Sequence, residues 1–135
     1  NYIIPIPIHE KRLKERGFNQ SELIAKILAK RLNIIFRNDL IIRTKLTMPQ
    51  STLTTEEKIE NVKDSFKIVN ETEVQGKDII LFDDILTTGS TMEECSRKLL
   101  ECNTRRVYFL TANISNSKIK GECNYENQHK ALWTN

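Results

Sequence analysis

Apolar residues in this 135-residue chain fall into short runs, and between several of them the spacing turns helical. Residues 2–7 read as a strand, and Pro5 and Pro7 imply that it ends irregularly or leaves part of its backbone unpaired. Residues 10–18 are a basic loop or short helix with Gly17 marking the turn. Asn19 and Glu22 have the spacing of a capping box that opens a helix to about Leu32. Leu23, Ile24, Ile27, Leu28 and Leu32 are its predicted buried stripe. Residues 40–43 and 66–69 read as strands, and between them residues 44–65 are polar, with a brief helical hint over 56–62. A turn near Gln75 and Gly76 precedes Ile79, Ile80, Leu81 and Phe82, a run suited to a strand buried on both faces and closed by Asp83 and Asp84. Met92, Cys95, Leu99 and Leu100 predict a helix over 91–102, and a strand over 106–111 completes the core. Strands alternating with helices predict an α/β fold: a mostly parallel sheet flanked by helices, with right-handed crossovers. The domain is expected to span residues 1–111, with 112–135 a tail of no assigned role. It could add an edge strand, dock on a partner or stay disordered.

Composition narrows the picture modestly. An apolar content of 39% in a chain this short supports one core and one domain. Cys95, Cys102 and Cys123 form no C-x-x-C pair, so a zinc site cannot be built from them alone. An odd cysteine count suits a reducing compartment. No basic-then-apolar leader and no long apolar segment is present, which predicts a soluble, cytoplasmic protein with no membrane partner. Charge is uneven: residues 1–45 hold ten Lys and Arg against four acids, whereas the remainder is net acidic. Lys11, Arg12, Lys14 and Arg16 follow the first strand directly. That cluster suits pyrophosphate, nucleic acid or a plain solvated face.

The chemistry concentrates in residues 79–91. Thr87, Thr88, Gly89, Ser90 and Thr91 lead into a helix, so backbone N–H groups and hydroxyls converge on one spot. A helix amino end adds roughly half a positive charge there, which favours phosphate. Gly89 removes the Cβ that would hinder close backbone approach. Asp83 and Asp84 repel phosphate but suit sugar hydroxyls, Mg²⁺, or both. Together these describe a site for a phosphorylated ribose. The bland alternative is a solvated strand end with Thr91 as a helix cap, and the ordered pattern weighs against it. Neither G-x-x-x-x-G-K-[ST] nor G-x-G-x-x-G occurs, so a P-loop nucleotidase or Rossmann dehydrogenase is unsupported.

This segment resembles the phosphoribosyl-pyrophosphate (PRPP) motif of type I phosphoribosyltransferases. Pro5 and Pro7, then Arg16-Gly17-Phe18-Asn19-Gln20, Pro49-Gln50 and Asn61-Val62, in that order, are similar to the ComF (competence) family of phosphoribosyltransferase-like proteins. The resemblance runs from about residue 3 to about residue 111. It departs at Lys58, where arginine is expected, and over 112–135, which match nothing in the pattern. The family's usual Cys-rich zinc ribbon and leading helix before the Pro-x-Pro strand have no counterpart, which implies a core truncated at its N-terminus.

The resemblance implies a type I phosphoribosyltransferase-like core with the following assignments. Thr87, Thr88, Gly89, Ser90 and Thr91 would hold the 5-phosphate of PRPP. Asp83 and Asp84 would hold the 2- and 3-hydroxyls, with Mg²⁺ bridging ribose and pyrophosphate oxygens. Arg16, Gly17 and Arg43 would receive the leaving pyrophosphate. Asp84 would steady the positive charge that builds on the ring as the bond breaks. Residues 44–65 would close over PRPP and exclude water, bringing Gln50, Lys58 and Lys63 toward the pyrophosphate. His9 is a general-base candidate by chemistry and location alone, against a structural or surface role. The expected reaction is phosphoribosyl transfer to an unidentified base or amine with pyrophosphate release. The alternative is a non-catalytic module that binds PRPP or a nucleotide, or that handles single-stranded DNA with competence partners. A homodimer is left open.

Overall fold

Four of the apolar runs line up as one parallel sheet in the computed structural model, which describes residues 1–47 and 52–115. The strands are β1 (Tyr2–Pro5), β2 (Ile35–Phe36), β5 (Asp78–Leu86) and β6 (Arg106–Ile114), in the order β2-β1-β5-β6. Tyr2 pairs with Ile79, Pro5 with Phe82, and Phe82 in turn with Leu110. The strands β3 (Ile41–Arg43) and β4 (Phe66–Ile68) form a separate antiparallel pair. Helices α1 (Glu10–Arg16) and α2 (Gln20–Leu32) connect β1 to β2, α3 (Thr55–Val62) lies between β3 and β4, and α4 (Glu71–Val74) precedes β5. Helix α5 (Ser90–Glu101) connects β5 to β6.

Strand alternation sorts the core into two layers. On one face Tyr2, Ile4, Ile79, Leu81 and Val107 pack with Met92, Cys95 and Leu99 of α5 and with Ile41, Phe66 and Ile68 of the antiparallel pair. On the other, Ile3 and Phe82 pack against Ala25 and Ala29 of α2. The two crossovers therefore leave β1 and β5 to opposite sides. That reversal opens a crevice beyond the carboxyl ends of these two strands, the place where open α/β sheets bind ligands.

Several expectations change. The buried stripe of α2 is Ser21, Ala25 and Ala29, with Ile24 and Leu28 flanking it, while Leu23 and Ile27 are 52% and 58% exposed and Leu32 is also exposed. Counting large apolar side chains picks the wrong face, because a helix that sits close on a sheet uses its small residues there. The capping box at Asn19 forms only in half. Asn19 accepts from the Ser21 backbone N–H, but the Glu22 carboxylate accepts from Asn38 instead of reaching back. A complete capping box stands at Thr54 and Glu57, and it starts α3 where only a brief helical hint was expected. Strand β5 is not closed by the acids but runs past both to Leu86, with Asp83 paired to Thr111, and β6 runs on to Ile114, pairing Leu86. The Pro49-Gln50 step, Cys123, Trp133 and residues 116–135 of the expected tail lie outside the described residues.

Candidate functional site

Asparagine and serine at the start of α2 set the crevice. The Asn19 side chain donates to the Ile6 carbonyl at 3.0 Å, which ties the helix start to the end of β1. The Ser21 hydroxyl then reaches across to β5. It donates to Asp83 Oδ1 at 2.9 Å and lies 3.3 Å from Asp84 Oδ1, while the Asp84 backbone N–H donates to Ser21 Oγ at 3.1 Å. One hydroxyl carries one proton, so it cannot serve both carboxylates fully. Burial pushes Asp83 up to about 6; the Ser21 bond opposes this, and the adjacent Asp84 carboxyl adds to it.

Three residues after β5, α5 begins. Gly89 takes its N-cap position with φ 83°, and the next nearest atoms to a Cβ there would be 3.8 Å away. The glycine is therefore required for its left-handed backbone and not for lack of space. Thr91, the cap of the bland alternative, lies inside the helix. The N-cap glycine contributes no side chain to the start of α5, the kind of helix amino end at which anions bind. Thr88 Oγ1 and Ser90 Oγ are 3.0 Å apart, placing two hydroxyls together at this end.

On the other flank, Arg43 leaves β3 with its guanidinium 5.2 Å from the Phe66 ring centroid and donates to the Thr47 hydroxyl. Burial, and then the charge of Arg12, lower its pKa, and Asp83 acts in the opposite sense. Arg12, from α1, donates to the Thr47 carbonyl at 2.7 Å. Arg16 is exposed in the last turn of α1, and Gly17 ends that helix with φ 81°. His9 caps α1, its Nδ1 accepting from the Lys11 backbone at 3.1 Å, which is a structural role. Lys58 lies on α3 and Lys63 at its C-cap, whereas Gln50 is outside the described residues.

Structure thus brings Asp83 and Asp84 beside the residue 87–91 loop and Arg43 beside Arg12. Sequence reasoning missed Ser21, the structural use of Asn19, and Thr47. A signal for Ser21 was available: it shares one helix face with Ala25 and Ala29, at the end of that face nearest the acids. Among the described residues no group of three or more His, Cys, Asp or Glu is placed to hold a metal. No described helix is long and apolar enough to cross a membrane.

A parallel sheet with an acidic pair at its switch point, followed by a Thr/Gly loop, defines the class of type I phosphoribosyltransferase-like domains. The phosphoribosyl transferase domain family matches residues 19–123, and the chain belongs to the ComF branch of phosphoribosyltransferase-like proteins. It is 37% identical over 98 residues to the DNA utilization protein YhgH of Escherichia coli O157:H7, covering 73% of this chain and 42% of that protein. It is 33% identical over 106 residues to Competence protein F of Haemophilus influenzae, covering 78% of this chain and 46% of the relative. The chain thus spans less than half the length of either relative. A hypoxanthine phosphoribosyltransferase from Staphylococcus aureus shares the fold, with a TM-score of 0.57 at 15% identity over 96% of this chain and 62% of that one.

Proposed function

We propose that the crevice binds PRPP with Mg²⁺ and transfers its phosphoribosyl group to a nitrogenous acceptor, releasing pyrophosphate. The observation that carries this reading is the Ser21 bridge, which turns Asp83 and Asp84 into one paired acceptor site between β1 and β5. Ribose hydroxyls donating to that pair would relieve the cost of holding two facing carboxylates. The glycine-capped start of α5 supplies N–H donors for the 5-phosphate on one side, and Arg43 supplies positive charge for the pyrophosphate on the other.

Two carboxylates are too few to cage a cation, but they suit Mg²⁺, which commonly takes one or two carboxylates and completes its shell with phosphate oxygens and water. When bound, Mg²⁺ would neutralise charge on the departing pyrophosphate. The chain's own work is positional: Asn19 and Ser21 hold the acidic pair, and the pair holds the ribose so that the anomeric carbon faces the acceptor.

A thermal-shift titration with PRPP and Mg²⁺ tests the reading. At a hundred times the dissociation constant, a ligand adds about 2.7 kcal/mol, which for a domain this size is a rise of roughly 9 °C. The rise should need Mg²⁺ and disappear in the Asp83→Asn/Asp84→Asn double variant. An equal rise in that variant, or none in the folded wild type, overturns it.

A second reading draws on the relatives' names and on the exposed side of the first two helices. Lys11, Lys14, Arg16, Lys26, Lys30 and Arg31 lie there with exposed Phe18, Leu23 and Ile27, a mixture suited to single-stranded DNA. Affinity for an oligonucleotide that falls with salt and ignores the double variant would favour this non-catalytic role.

A further inference from the structure

Two guanidinium groups from distant parts of the chain meet on one neutral residue. Arg12 Nη2 donates to the Thr47 carbonyl at 2.7 Å and Arg43 Nη2 donates to the Thr47 hydroxyl, so one buried threonine accepts a bond from each cation. Arginine carries five N–H donors and no acceptor. The Arg43 Nε remains buried with no hydrogen-bond partner among the described residues. A buried donor left unmatched is costly, and two neighbouring cations sharing an uncharged acceptor are an unfavourable arrangement unless an anion also uses them. Of the two groups whose charge would favour the cationic Arg43, Cys95 and then Asp83, Asp83 belongs to the other half of the crevice.

We propose that Arg12 and Arg43 form a paired-guanidinium seat for the pyrophosphate end of the ligand, and that Thr47 yields its two contacts when the anion arrives. The Thr47 oxygens stand where two phosphoryl oxygens would be received, without their charge. An arriving anion gives Arg43 an acceptor for its Nε and gives both cations a counter-charge, a stronger form of hydrogen bond than a neutral oxygen offers. The inference rests on the ribose-phosphate reading and deepens it. It adds Arg12 and Thr47 to the site, and it ranks Arg12 above the exposed Arg16 as a ligand for pyrophosphate.

Calorimetric titration of the full chain with two probes separates the possibilities: inorganic pyrophosphate with Mg²⁺, and ribose 5-phosphate, which lacks the pyrophosphate. Arg12→Ala should weaken pyrophosphate at least tenfold and leave ribose 5-phosphate within twofold. Arg12→Lys, which keeps the charge and loses the planar fork, should fall between. Thr47→Val removes a competing oxygen and should tighten pyrophosphate severalfold, a change that a purely structural threonine would not produce. Unchanged pyrophosphate affinity in Arg12→Ala, or weaker affinity in Thr47→Val, overturns the seat while ribose 5-phosphate binding keeps the underlying reading intact. A wild-type protein that binds pyrophosphate but not ribose 5-phosphate overturns the ribose-phosphate reading alone, and one that binds neither overturns both.

Discussion

Replacing Asp83 with asparagine should make the free protein more stable at pH 7.5 while abolishing its Mg²⁺-dependent response to PRPP. Burial first, and then the facing Asp84 carboxyl, push Asp83 from 3.8 up to about 6. Well below pH 3.8 the carboxyl is protonated whether the chain is folded or unfolded, so it costs nothing. Between 4 and 6 the folded state binds the extra proton, and stability falls as pH rises. Above 6 the full cost of roughly 3 kcal/mol is present. Asparagine has no charge to bury and keeps an oxygen for the Ser21 hydroxyl, so up to roughly 10 °C in melting temperature should be recovered. Asp39, Asp64 and Asp78 have lowered pKa values and pull in the other direction, so the informative quantity is the difference between the two proteins. That difference should be close to zero at about pH 3 and grow to its full size by about pH 7. A variant no more stable than wild type at pH 7.5 would show that Asp83 is not held at a cost. Such a trade of stability for function is common where a site needs a charge the fold alone would avoid.

Phe82→Ala should be the most damaging single core change on the α2 side of the sheet. Phe82 is 1% exposed and shares that layer with Ile3, Ala25 and Ala29, so little else there can close over the cavity. Truncating a buried phenylalanine costs about 3–5 kcal/mol, against a total of roughly 5–15 kcal/mol for a domain. The damage should also reach the site. Phe82 supports the helix that carries Ser21 and immediately precedes Asp83, so ligand stabilisation should shrink with fold stability. Urea unfolding provides the measurement, and a loss below about 1 kcal/mol would mean that α2 collapses onto the gap.

The part of the site legible in the sequence is the part that is local. Asp83, Asp84 and the loop through Thr91 are contiguous, and both their order and their place after an apolar run carry meaning before any folding is known. The fold class was legible for the same reason, since every strand except the two-residue β2 announces itself within a few residues. The Ser21–Asp83 bond and the Arg12–Thr47 bond join positions 62 and 35 residues apart, and no periodicity reports which distant side chains will meet. The α2 error has a related cause. Hydropathy rewards large side chains, whereas close approach to a sheet selects Ser21, Ala25 and Ala29. The antiparallel β3–β4 pair was visible as two strands, but not as a unit separate from the sheet, because pairing partners are a tertiary property.

The sheet order also sets a schedule for synthesis. β1 emerges well before its long partner β5, and until that strand arrives it can form only a two-residue ladder with β2. At about 5–20 residues per second the ribosome needs several seconds to cover that interval. Throughout it, Ile4 and Ile6, both buried in the finished protein, lack the β5 and α5 residues that complete their layer. The crevice consequently forms late: its two walls come from segments far apart in the chain, and chaperones have first access to the strand that will become one of them.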